Sequence, residues 1–131
     1  MAEDDVAPSV TTLTRSAAGQ RIHWVVALAL PASLACFRGH FPAQPILAGV
    51  TQLQWAATLY KRCYEDPRSV SRVTRLKFMR VIRAREALSL RLEGQSGGDD
   101  FIFSYWVGAA CCTTGRIHLR AAAPVRDSAG V

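Results

Sequence analysis

One segment concentrates the side chains that could do chemistry. It runs Phe37-Arg-Gly-His-Phe-Pro-Ala-Gln-Pro-Ile-Leu-Ala-Gly-Val-Thr-Gln-Leu-Gln-Trp55. A histidine with an ordinary pKa of about 6.5 removes protons near neutral pH, which makes His40 a candidate general base. Pro42 and Pro45 stiffen the loop after it and so can hold the imidazole in one place. Gly49 falls at the start of a helical stretch, where the first backbone N–H groups have no partner inside the helix. Glycine there lets a ligand approach the backbone closely. Those N–H groups and the helix dipole suit a carbonyl oxygen that gathers charge as an enolate. A base and an oxyanion site are the two things needed to take the α-proton of an acyl thioester. A lone histidine in a Gly/Pro loop is more often only a loop residue, so the whole segment has to carry this reading.

The elements that would position these groups can be read from periodicity. Residues Ile46 to Tyr64 contain no proline and place Ile46, Val50, Leu53, Ala57 and Tyr60 at helical spacing. Leu47, Ala56 and Leu59 fall on the other side, so the predicted helix is apolar nearly all round, the pattern of a buried helix. Before it, Val10 to Thr14 is β-branched. Arg21 to Leu30 alternates, with Ile22, Trp24, Val26, Leu28 and Leu30 opposite Arg21 and His23, and Pro31 ends it. After the helix come four strand-like runs: Arg72 to Ile82, Ala87 to Glu93, Phe101 to Val107 and Arg116 to Ala121. The loop GQSGGDD separates the second from the third. Those connections are too short for helical crossovers, so the sheet is expected to be mostly antiparallel. One helix against one curved sheet is an α+β arrangement. Such a sheet covers the helix on one side only, and a second copy of the chain would supply the other cover. A homodimer is therefore expected.

The segment GHFPAQPILAGVTQL resembles the signature of the 3-hydroxyacyl-(acyl-carrier-protein) dehydratases of the hot-dog fold, which reads roughly GHFPxxPxxPGV. Gly39, His40, Phe41, Pro42, Pro45, Gly49 and Val50 match with the spacing intact. The order of elements is similar too, as is LKFMRVIRAREALSLRLE to the family's strand pair after the helix. The trailing QLQWA is closer to the dehydratases of aryl-polyene pigment clusters. The resemblance implies a long helix wrapped by a sheet of about six strands, and a dimer with the acyl tunnel at its interface. It implies His40 as the base, Gly49 as the thioester-carbonyl site flanked by Phe41, Pro42 and Val50, and a place in fatty-acid or polyene biosynthesis. It also implies an Asp or Glu fourteen residues after the histidine, supplied by the partner subunit to handle the leaving hydroxyl.

Position 54 is Gln instead, Ala48 stands for the usual proline, and Ala84-Arg85-Glu86 replaces a Pro-Gly-Asp turn. An amide hydrogen-bonds a hydroxyl or a water but cannot act as a general acid. Losing acid–base assistance costs roughly 10²- to 10⁴-fold. An amide in so apolar a helix needs a partner, so Gln54 is expected to meet a ligand, a water or the other subunit. Gln52 is expected on the helix surface or at the interface. His23 and His118 alternate with apolar strand positions, are expected on the solvent side, and are given no catalytic role.

Composition bounds the remaining choices. The 131 residues fit one domain, 1–131, with a loose arm at 1–8 and a loose tail at 124–131. The acidic MAEDDVAPS start lacks the apolar core of a secretory signal. The run Trp24 to Ala32 is broken by Pro31 and is too short to span a membrane, so a cytoplasmic protein is expected. Cys36, Cys63, Cys111 and Cys112 show no metal-ligand spacing and read as free thiols; neither a metal nor a cofactor is expected. The net charge of +6 gathers between Lys61 and Arg85. Arg75, Lys77 and Arg80 are the candidate docking residues for an acidic acyl carrier protein, with an acyl-CoA thioester as the other possible carrier. No nucleic-acid motif accompanies the charge. The leading expectation is a dehydratase making trans-2-enoyl thioesters. The alternatives are a degenerate subunit, in a homodimer or a heterodimer with a related dehydratase, and a hot-dog acyl thioesterase.

Overall fold

The computed structural model describes residues 9–31 and 46–121. Its elements are β1 (Ser9–Ala18), β2 (Arg21–Ala29), α1 (Gly49–Tyr64), β3 (Val70–Phe78), β4 (Leu88–Gln95), β5 (Asp100–Val107) and β6 (Ala110–Leu119). The arm and tail expected at 1–8 and 124–131 lie outside the described residues.

The six strands form one sheet in the order β1-β2-β4-β5-β6-β3, antiparallel at every pairing. Two hairpins close through two-residue turns whose first residue is a left-handed glycine, Gly19 (φ 62°) between β1 and β2 and Gly108 (φ 59°) between β5 and β6. The strand after the helix, β3, crosses over to pair with β6, and among the described residues its other edge is open. This is the α+β hot-dog arrangement expected from the sequence.

Alternation decides which sheet face meets the helix. Leu88, Leu90 and Leu92 of β4, Phe101, Phe103 and Tyr105 of β5, and Ile117 and Leu119 of β6 are buried, as are Val26 and Leu28 of β2. They form one cluster with Trp55, Ala56, Leu59 and Tyr60 of α1. The Tyr60 ring stacks on Phe101 at 3.8 Å between centroids and on Tyr64 at 4.3 Å. At the far end of α1, Asp66 accepts two bonds from the Arg68 guanidinium (2.8 and 3.1 Å), which also reaches Asp99 at 3.0 Å. This clasp ties the helix end to the loop between β4 and β5.

Four expectations need correction. The helix begins at Gly49, three residues later than periodicity indicates, because Ile46 pairs with Arg83 and the Leu47 N–H donates to the Ile82 carbonyl at 2.7 Å. The helix is not apolar all round: Val50, Gln54, Thr58, Lys61 and Arg62 form its exposed side. Strand β6 begins at Ala110 instead of near Arg116, and β3 ends at Phe78 instead of Ile82.

Gly115 on β6 has a tight steric role. A Cβ there would lie 2.6 Å from Phe103 Cε1 and 3.3 Å from Leu76 Cδ1, and Phe103 is fully buried. The ring has nowhere to go, so Gly115→Ala should destabilise the fold by about 1–3 kcal/mol through overpacking. Thermal denaturation checks this; an unchanged melting temperature would show that the core yields.

Candidate active site

The first turn of α1 is open. Its N-cap is Ala48, extended at φ −65° and ψ 149°, with no side-chain cap, and the turn holds no acidic residue. Among the described residues, the N–H groups of this turn therefore have neither a side-chain capping oxygen nor a counter-charge from the helix. They border a cavity of about 320 Å³, walled by residues 46–49 and Gln52 on the helix side and by residues 78–81 at the end of β3. The wall is largely apolar, and Phe78, Met79 and Val81 stay exposed there, as does Val50 in the first turn.

Gly49 lies under the Phe78 ring. A Cβ on it would come within 2.7 Å of Phe78 Cζ, so glycine is what lets this ring lie against the helix start. Phe78 is about half exposed, so its ring tip can yield, unlike Phe103. Gly49→Ala should therefore leave the melting temperature within a few degrees while pushing the ring into the cavity. A melting curve checks the first effect, and the ring-proton chemical shifts of Phe78 check the second.

A buried hydrogen-bond network backs this turn. Gln52 is 3% exposed. Its Nε2 donates to the Leu47 carbonyl at 3.1 Å and its Oε1 accepts the Thr113 hydroxyl at 2.6 Å. The Tyr105 hydroxyl donates to the Gln52 backbone carbonyl at 2.6 Å. Burial holds the Tyr105 phenol well above its ordinary range, so it remains a donor. Gln52 is thus a core residue and not the surface or interface residue expected. Its spacing from Trp55 and Ala56, three and four positions on, was the available signal.

The expected site residues are distributed as follows. His40, Phe41 and Pro42 lie outside the described residues, as does Cys36. Gly49 borders the cavity. Val50 and Gln54 sit one turn apart on the exposed side of α1, so among the described residues nothing buries the Gln54 side chain. Arg75 and Lys77 are exposed and line a second cavity of about 480 Å³ with Thr114 and Arg116. Arg80 parts from them. It borders the first cavity and pairs with Glu86 at 2.6 Å. Glu86, whose carboxyl the Arg80 guanidinium holds below the usual range, also accepts the Arg83 N–H at 2.7 Å. That carboxylate shapes the turn where Arg85 is left-handed at φ 71°, the place of the dehydratases' glycine. His23 is about half exposed beside Glu93, and His118 meets the Thr74 hydroxyl at 2.8 Å. Cys63, Cys111 and Cys112 are free thiols. Among the described residues, no cluster of His, Cys, Asp and Glu could hold a metal ion, and no helix is long and apolar enough to cross a membrane.

The model of the ApeI-like family, described as the ApeI dehydratase, matches residues 15–116. The chain belongs to the ApeI-like dehydratase family. Two solved structures align with it at a TM-score of 0.76, each over 86% of this chain. One, 27% identical and covered over 96% of its length, is the dehydratase heterocomplex ApeI:P from Xenorhabdus doucetiae. The other, 24% identical and covered over 95%, is an uncharacterised protein from Erwinia carotovora subsp. atroseptica. An uncharacterised protein from Pyrococcus horikoshii shares the fold at a TM-score of 0.58 and 8% identity, covering 87% of this chain and 82% of its own. No curated protein matches. The match to the ApeI-like family spans the open helix turn, the cavity over it and the Gln52 network.

Proposed function

We propose that this ApeI-like chain dehydrates 3-hydroxyacyl groups carried as thioesters on acyl carrier protein, giving trans-2-enoyl thioesters. The observation that carries the reading is the uncapped first turn of α1 opening into a largely apolar cavity, in a chain of a dehydratase family. The thioester carbonyl would accept the Gly49 N–H. His40 would take the proton from C2, and the carbonyl oxygen would gather negative charge at the helix start. As the C2=C3 double bond forms, the C3–O bond breaks and the hydroxyl leaves as water, with the proton returned by His40. Gln54 would hydrogen-bond that hydroxyl without donating a proton to it.

Assembly completes the reading. The open edge of β3 and the exposed Val50, Phe78, Met79 and Val81 are features that a second subunit would cover. The partner is either a second copy or a related dehydratase subunit, and the latter gains support from the likeness to a chain of a heterocomplex. A pathway building fatty acids or polyenes in the cytoplasm fits this chemistry. A second reading, a degenerate subunit that binds the carrier for an active partner, is favoured by Gln54 alone.

Arg75 and Lys77 form the docking face for the acidic carrier; Arg80 is already neutralised by Glu86. Reversing both charges to Glu should raise the KM for carrier-bound substrate roughly tenfold at low salt, and less at high salt. Turnover of a short pantetheine thioester should not change. Equal loss with both substrates would place these residues elsewhere in the mechanism. The reading itself is tested by incubating the protein with a 3-hydroxyacyl-carrier thioester and following the acyl group.

A further inference from the structure

Gln52 does more than fill the core. A glutamine amide has two N–H donors and one carbonyl acceptor. Here the Leu47 carbonyl takes one N–H and the Thr113 hydroxyl fills the acceptor. These two partners fix which end of the amide is nitrogen, since the Leu47 carbonyl can only accept. The second N–H has no acceptor among the described residues. The residue is 3% exposed, yet it lines the cavity over the first turn of α1. A buried donor without an acceptor costs about 1–3 kcal/mol, and a cavity beside it is where that acceptor would come from.

We propose that Gln52 is a substrate-binding residue, its free side-chain N–H donating to an oxygen of the bound acyl group beside the helix start. This rests on the thioester reading of the site and adds a second donor to the Gly49 N–H. The two donors differ in kind. The backbone N–H is fixed by the helix, whereas the amide is aimed by Leu47 on one side and Thr113 on the other. The same bond to the Leu47 carbonyl neutralises an acceptor that would otherwise repel a substrate oxygen in the cavity. Thr113 therefore acts through Gln52 as a positioning residue, and Tyr105 fixes the backbone of the same residue from β5.

The test uses the full chain in its native assembly and an unreactive probe, a 3-hydroxyoctanoyl-pantetheine amide. In the wild-type protein, the side-chain ¹⁵N–¹H signals of Gln52 should respond unequally to the probe. The proton bound to Leu47 should hold its position while the other moves downfield. Gln52→Met keeps the volume and removes both donors. It should weaken probe binding by roughly 3- to 10-fold, the worth of one neutral hydrogen bond. Thr113→Val keeps the N–H but loosens its aim, and should weaken binding less than Gln52→Met does. Gln52 signals unmoved by bound probe, or no probe binding, would overturn the proposal, even if Gln52→Met fails to fold. Equal affinity of wild type and a folded Gln52→Met would also overturn it. A probe that binds with the Gln52 shift, in a protein that never dehydrates a 3-hydroxyacyl thioester, would sink the dehydratase reading and leave this one standing.

Discussion

Replacing His40 with alanine should reduce dehydration of a 3-hydroxyacyl thioester by 10²-fold or more and leave fold and assembly intact. General acid–base assistance is worth roughly 10²- to 10⁴-fold. That range applies in full here because the segment offers no second proton carrier. Gln54 cannot ionise, and Arg80, beside the cavity, is held charged by Glu86, well above its ordinary range. The loss should fall on kcat more than on KM, since the Gly49 N–H and the cavity remain. Steady-state kinetics with circular dichroism on the same sample checks this. A variant with more than a tenth of wild-type kcat would remove His40 from the role of base.

The second large effect is a gain. Gln54→Glu exchanges one amide nitrogen for oxygen in nearly the same volume and restores the acid of the related dehydratases. Burying a lone carboxylate would normally oppose such a change. Among the described residues, however, nothing covers Gln54, which lies on the exposed side of α1 with Val50. The variant should fold as well as the wild type. It should raise kcat by on the order of 10²-fold by giving the leaving hydroxyl a proton donor of its own. The gain should vanish above the pKa of the new carboxyl group, where it has no proton to give. A variant that is folded, assembled and no faster than wild type at acidic pH would show that His40 already serves both steps.

Strands with strict alternation were legible in the sequence. In the run Ala87 to Glu93, Leu88, Leu90 and Leu92 alternate with Ser89, Arg91 and Glu93, and the three leucines are buried on β4. The first half of β6 was not legible, because Cys111-Cys112-Thr113-Thr114-Gly115 has no apolar–polar period; its conformation comes from pairing with β5 and β3. The helix start was misplaced because Ile46 and Leu47 continue the helical spacing, while their backbones are held extended by Arg83 and Ile82. The site divides in the same way. Gly49 at a helix start could be read directly, whereas the ring of Phe78 over it comes from a strand 29 residues on and left no local trace. Gln52 was misread because residue type suggested solvent where position indicated core. Arg80 was grouped with Arg75 and Lys77 by charge, and only the fold sends it to Glu86.

The central claim is best tested by mass spectrometry of the carrier-bound acyl group, started separately from the 3-hydroxyacyl and the trans-2-enoyl thioester. Dehydration predicts that both reactions converge on one mixture of the two species, still attached to the carrier, at a rate that depends on protein concentration. Carrier stripped of its acyl group would mean thioester hydrolysis. Two unchanged starting materials beside tight carrier binding would mean a subunit without turnover. Either result would contradict the account.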